Sequence, residues 1–229
     1  MTIPALKQRQ DIGLVKSGNM AKIKGLLAKR IKEDVEAALS KKGYVFFDGN
    51  KEYNLNIIGI RNSSHDPDKF DDTMLVVYRN EDKEWEVLNY EITTEPGPRI
   101  LRKPINDKGT AILVPNQYRG TYIIGSHGGS FRHTALVQRG GKVKVWRDND
   151  KDSRLDTDDA NIDEGMFGIN IHRHSRPNEK EYVNGSSAGC QVFKDSVEFA
   201  EFLDTCNKSA DIYGNSFTYT LLEEEDLDV

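Results

Sequence analysis

The chain has 229 residues, a formal net charge of −5, 37% hydrophobic residues and 30% charged residues, the balance of a soluble globular protein and not of a disordered one. That length suffices for one sizeable core, or for one domain with an appendage. No apolar run approaches the roughly eighteen residues that span a bilayer, and two cysteines, Cys190 and Cys206, cannot build a disulfide framework.

Charge is uneven along the chain. Residues 1–43 hold ten Lys or Arg against four Asp or Glu, a net of +6, while the rest nets −11. The opening MTIPALKQRQDIGLVKSGNM shows no basic n-region leading into an apolar h-region, so the expectation is synthesis in the cytoplasm without a signal peptide. The stretch NMAKIKGLLAKRIKEDVEAALSKKGY then places Ile23, Leu27, Ile31, Val35 and Leu39 on one helical face. Lys41, Lys42 and Gly43 form a C-terminal signature. Isolated helices are marginal in water. The stripe must therefore be buried, and residues 1–43 are expected to be a basic docking segment that packs on a partner or a neighbouring subunit. A solvated helix face accounts for the charge equally well.

From Tyr44 the period changes to two. YVFF, YNLNIIGI, TMLVVYR, EWEVLNYEI, TAILVP, TYIIG, TALVQR and KVKVW read as short strands, separated by turn clusters such as NEDK, EPGP and QRGG. A helix is expected from about Asp195 to Lys208. Cys206 falls on its apolar stripe with Phe199, Phe202 and Leu203, the setting of a buried structural thiol. SFTYTLL closes the series as a last strand, and the acidic tail EEEDLDV is expected to fray. The fold class is mostly β (α+β), with a β-rich domain over residues 44–229 behind the helical N-terminal segment.

The chemistry concentrates in FGINIHRHSRPNEKEYVNGSSAGCQVF, Phe167 to Phe193. An alternating run through Ile169 and Ile171 delivers His172 at a strand end, and a small-residue turn then carries Cys190 into a second apolar run. A free thiol with a pKa near about 8.5 is mostly protonated at neutrality, so a nucleophilic cysteine needs a base or a positive environment. His172 is the candidate base. Ser186, Ser187, Ala188 and Gly189 permit a tight turn whose backbone N–H groups converge on an oxyanion. Taken alone, one histidine and one cysteine carry little, because a cysteine in a small-residue strand is more often part of a core.

The pattern of His172, fourteen residues, then Ser187-Ala188-Gly189-Cys190 resembles the signature of YkuD-type L,D-transpeptidase catalytic domains. There a histidine precedes a Ser/Thr-His-Gly-Cys box by a similar interval. FGINIH resembles the strand that delivers the family's first histidine. DDTMLVVYR, ITTEPGP and GTAILVPNQY resemble a phage- and prophage-associated branch of such proteins. The resemblance implies a YkuD-like β-sandwich or barrel over about residues 53–222. Cys190 would attack the carbonyl of a peptidoglycan stem peptide and form a thioester. His172 would take the thiol proton, with its ring held by the backbone carbonyl of Arg173. The N–H groups of Gly189 and Cys190 would stabilise the oxyanion, and water or an amine would release the acyl group. Two departures alter the pocket: Ala188 stands where the box has histidine, and Gln191 and Val192 stand where many members have an apolar residue followed by Arg or Asn. Ser187, His174, Gln191 and His127 are the candidate substrate-binding residues. His127, in GSHGG, also reads as a polar turn residue, and His65 and His133 have no evident partner.

A second constellation is DNDKDSRLDTDD, Asp148 to Asp159. Asp148, Asp150, Asp152, Asp156 and Asp159 occupy positions one, three, five, nine and twelve of a twelve-residue loop, with the Arg154 carbonyl at position seven. Ca²⁺ takes about six to eight oxygen ligands, and such alternation supplies them. The loop resembles a dockerin-type calcium loop, with Asp at twelve in place of Glu and Ser153 in place of the usual glycine. A structural calcium ion bracing the active-site strand is the expectation, and a solvated acidic loop is the alternative. No His/Cys cluster has zinc spacing, no organic cofactor is implied, and no phosphate loop or basic aromatic stripe points to nucleotides or nucleic acid.

These features together lead to the expectation of a cysteine-dependent enzyme that cleaves peptidoglycan stem peptides or transfers their acyl groups. It would be phage-associated, carried in a virion or released at lysis, with phage structural proteins meeting its N-terminal helix and no membrane partner. The rival is a structural or attachment protein of a phage particle that uses the fold without turnover, since fold alone does not dictate chemistry.

Overall fold

Alternating residues of a strand point to opposite faces, and in this chain both faces of the central strands find apolar cover. The structure, a computed structural model, describes residues 21–128, 132–174 and 181–227. It is mostly β, of the α+β class. In chain order the strands are β1 (Ala21–Ile23), β2 (Asn56–Arg61), β3 (Asp72–Arg79), β4 (Trp85–Thr93), β5 (Thr110–Leu113), β6 (Gln117–His127), β7 (His133–Gln138), β8 (Val143–Asp148), β9 (Ile162–Gly165), β10 (Ile171–Arg173), β11 (Gln191–Phe193) and β12 (Phe217–Glu223). The helices are α1 (Gly25–Lys41), α2 (Pro98–Arg102) and α3 (Ser196–Tyr213).

The large sheet runs β4-β11-β10-β7-β6-β12-β2-β3, and β3 pairs back onto β4, so the sheet closes on itself. Closure removes the exposed edges that an open sheet must protect. β1 lies along β4, pairing Ala21 with Asn89 and Ile23 with Val87. β10–β11 and β12–β2 are parallel pairs. A separate antiparallel sheet, β5-β8-β9, flanks the ring.

The two faces of the ring serve different cores. Ile57, Met74, Val76, Tyr78, Leu88 and Tyr90 join Phe199, Phe202 and Cys206 of α3 in the larger one. Their neighbours Ile58, Ile60, Leu75, Val77 and Val87 pack instead against Ala28, Ile31, Val35, Ala38 and Leu39 of α1. Each large aliphatic side chain buried there contributes about 1.5–3 kcal/mol. This corrects the expected partner docking for residues 21–43: the helix spends its apolar stripe on its own barrel. The remainder of the expected docking segment, residues 1–20, lies outside the described residues.

Other expectations change for local reasons. YVFF is not a strand; side chains occupy its backbone, with Val45 N–H donating to Gln117 Oε1 at 3.0 Å and Phe47 N–H to Asn56 Oδ1 at 2.7 Å. α3 starts where expected, capped by Asp195, whose Oδ1 accepts from Val197 N at 2.6 Å and Glu198 N at 3.0 Å. It runs on to Tyr213. The acidic tail is not frayed over Glu224–Leu227, where it forms a 3₁₀ turn that buries Leu227 against α1 and pairs Asp226 with Lys42 at 2.8 Å. Among the described residues, no helix is long and apolar enough to cross a membrane.

Candidate active site

Parallel pairing of β10 with β11 brings the histidine and cysteine segments together, with His172 opposite Val192 and Ile171 opposite Gln191. Ile171 and Phe193 point into the main core. By alternation His172 and Val192 share the other face. Cys190, two residues before Val192 and packed with it against Phe70 and Val183, falls on that same face, diagonal to His172.

The turn before Cys190 is held from within. Ser187 is fully buried; its hydroxyl donates to Cys190 O at 2.8 Å and accepts Gly189 N–H at 3.2 Å. Gly189 has φ +109, and a Cβ there would lie 2.3 Å from Ala111 O, so only glycine fits. Gln191 is also fully buried, donating to Gly189 O at 3.2 Å and accepting from Tyr219 OH at 2.8 Å. Three expectations are thereby corrected. Ser187 and Gln191 are not substrate-binding residues, since buried backbone and phenol groups consume their polar atoms. The Gly189 N–H is taken by Ser187, which leaves Cys190 N–H as the turn's candidate oxyanion donor.

His172 has its Nδ1 at 2.6 Å from Arg173 O, the contact that the resemblance implies. A carbonyl accepts only, so Nδ1 carries the proton and Nε2 the lone pair. Burial depresses the imidazole to about 3, aided by His127, against the raising effect of the Arg173 carbonyl. His172 therefore rests neutral. The ring of His127 stacks on it, with centroids 4.0 Å apart and planes at 17°. His133, opposite His127 in the β6–β7 register, stands edge-on to both. His174 is buried at the end of the strand, where its carbonyl accepts from the Arg173 guanidinium at 3.0 Å.

Asn170 joins these groups, though sequence reading passed over it. Its backbone N–H points to Cys190 Sγ at 3.4 Å, its Oδ1 accepts Gln138 N–H at 2.9 Å, and its Nδ2 donates to His127 Nδ1 at 2.8 Å. Gln138 clamps the approach: its Oε1 accepts the N–H groups of Phe167, Gly168 and Ile169 at 3.1, 2.9 and 3.1 Å. The available signal was a polar residue two positions before His172 on the same strand face.

Cys190 is 9% exposed, and its thiol donates to Gly168 O at 3.5 Å. Burial pushes it up to about 11, with the Asn170 N–H pulling the other way. At neutral pH the resting pair is a neutral thiol turned towards Gly168 and a neutral imidazole.

His127, His133 and His172 bring one nitrogen each within 4.8 Å of the others. A metal binds imidazole along a lone pair in the ring plane, and two nearly parallel, stacked planes share no such point. Moreover Asn170 fixes His127 Nδ1 as an acceptor, so its proton sits on Nε2. The arrangement suits imidazole stacking and not metal coordination.

The aspartate loop converges only in part. Asp148, Asp150 and Asp156 bring carboxylate oxygens within 4.8 Å of one another. Asp159 turns away to accept Trp146 Nε1–H at 2.9 Å, and Asp152 Oδ1 accepts Arg154 N–H at 2.5 Å. The five-carboxylate loop expected from the sequence is a three-carboxylate group here.

Compared with known proteins, the chain matches no family model, no curated protein and no solved structure.

Proposed function

We propose that the protein is a cysteine acyl-transfer enzyme. Within that class, an L,D-transpeptidase-like action on peptidoglycan stem peptides is the reading favoured by the motif around His172 and Cys190. The observation that carries it is the His172 anchor: an imidazole fixed in one tautomer by Arg173 O at 2.6 Å, one parallel strand from the cysteine turn.

In this reading the Cys190 side chain rotates away from Gly168 O towards His172. Sγ bonds to the carbonyl carbon while its proton passes to His172 Nε2. Negative charge develops on the substrate oxygen, facing Cys190 N–H. The C–N bond then breaks, the imidazolium returns the proton to the departing amine, and a thioester remains. Water or an acceptor amine attacks the thioester, giving a proton to Nε2 as it does so, and the thiol leaves with that proton. A base depressed to about 3 takes a proton reluctantly but is a strong acid for the leaving amine.

The shut resting state favours a second reading, a structural or attachment protein of a phage particle without turnover. The supporting observation is the thiol itself, buried and bonded to Gly168 O. Incubating wild type and Cys190→Ala with purified muropeptides and reading product masses separates the two. New masses with wild type alone support the enzyme. Equal inertness of both proteins, with Cys190 unreactive to iodoacetamide, leaves the structural role.

A further inference from the structure

Asp148 is the last residue of β8 and is 0% exposed. Its Oδ2 accepts Asp156 N–H at 3.1 Å, but its Oδ1 is buried without a hydrogen-bond partner. Such an oxygen is costly to maintain. The nearby side chains make the cost larger, because Asp150 and Asp156 place their carboxylates within 4.8 Å. Among the described residues, no Lys or Arg forms an ion pair with any of the three; Arg147 and Lys108 are drawn to Asp163 instead. A buried carboxylate with one unpartnered oxygen, grouped with two exposed carboxylates, is a half-built shell for a hard cation. Ca²⁺ accepts irregular sets of about six to eight oxygens and tolerates carbonyls and water among them, whereas Mg²⁺ demands a tight octahedron.

The position of this group gives it a second consequence. Asp148 pairs with Thr110 in the β5–β8 register. Gly109, at φ +107, packs so close that a Cβ would lie 2.2 Å from Asp148 O. Two residues further on, Ala111 O is the atom against which Gly189 of the cysteine turn is pressed. The carboxylate group and the nucleophile turn therefore bear on one short run, residues 109–111. We infer that Asp148, Asp150 and Asp156 bind a Ca²⁺-class divalent ion, and that the ion sets the Cys190 turn through β5. The ion takes no part in bond making; it fixes the end of β8, hence Gly109 and Thr110, hence the carbonyl that supports Gly189.

The test uses the full chain and needs no turnover, so it stands apart from the fate of the acyl-transfer reading. Chelated protein is titrated with Ca²⁺, with Mg²⁺ as the comparison, while melting temperature and the iodoacetamide labelling rate of Cys190 are followed. Tb³⁺ offers a direct probe, since Trp146 lies two residues before Asp148 and can sensitise its emission. The expected result is a rise in Tm of about 5 to 10 °C at one hundred times Kd, together with Tb³⁺ emission that Ca²⁺ displaces. The Cys190 labelling rate should change severalfold, and all three effects should vanish in Asp150→Asn/Asp156→Asn, which alters exposed carboxylates only and so preserves the fold. An unchanged Tm with no Tb³⁺ emission overturns the site. Binding that leaves the Cys190 labelling rate unchanged overturns the link through β5. A response to Mg²⁺ equal to that for Ca²⁺ overturns the assignment of the ion class.

Discussion

Cys190 and Cys206 are both free and both buried, yet their surroundings differ in kind. Cys206 sits on α3 at 0% exposure within the core that includes Phe199 and Phe202, and burial alone drives its thiol far above the ordinary range. Cys190 has one apolar side, against Phe70, Val183 and Val192, and one polar side, where Asn170 N–H and Gly168 O meet its sulfur. The contrast teaches that burial is a poor guide to a thiol's role. What sets Cys190 apart is that the Asn170 N–H meets its sulfur, a dipole that favours the thiolate, and that a fixed imidazole stands one strand away.

The sharpest way to break the comparison is to delete each sulfur in turn. Cys190→Ala is expected to abolish muropeptide turnover altogether, while Cys206→Ala keeps it; loss of activity in both, or in neither, would show that the two thiols do not differ as described. Next comes the base. His172→Ala should lower turnover by about 10² to 10⁴ and slow alkylation of Cys190, measured by intact mass against time, while Cys206 stays unlabelled until urea unfolds the protein.

Acid stability provides a third, smaller contrast, because the imidazole stands one parallel strand from the Cys190 turn and Cys206 lies on α3. The folded-state pKa of His172 is about 3 against 6.5 for a free imidazole, so between those values the unfolded chain binds the extra proton. The stabilisation is present above pH 6.5 and is lost as pH falls, by about 1.4 kcal/mol per unit until about pH 3. Glu95, held well above the carboxylate range by burial and then by the charge of Asp72, acts in the opposite sense. The difference in urea midpoint between wild type and His172→Gln, followed from pH 7 to 5, isolates the imidazole. A difference that does not vary with pH would remove His172 as a buried neutral group. Smallest of all, Cys206→Ala should cost about 1 kcal/mol in a urea titration and leave the Cys190 labelling rate unchanged.

Much of the scaffold was legible from local pattern. Period two marked most strands from β2 to β8 together with β12; the Ile31, Val35 and Leu39 stripe marked α1; Asp195 marked the start of α3. The short pieces β1 and β9 escaped, each only three or four residues long, too short for alternation to register. At the site, His172, Cys190 and the Arg173 carbonyl followed from the motif and its resemblance. The partnership of His127, His133 and Asn170 did not, because it depends on the register of β6 against β7 and on the pairing of β10 with β7.

The sequence by itself determined which residues alternate, where helices start, and that one histidine strand precedes one small-residue cysteine turn, since these are properties of neighbours along the chain. Tertiary structure alone decided that α1 covers its own barrel, that Ser187 and Gln191 brace the turn from inside, and that Asp159 serves Trp146 while Asp148 is left with a bare oxygen. Each of those outcomes depends on contacts between segments apart in the chain, made only once the strands have paired, and within the strands a one-residue shift of register would exchange the two faces.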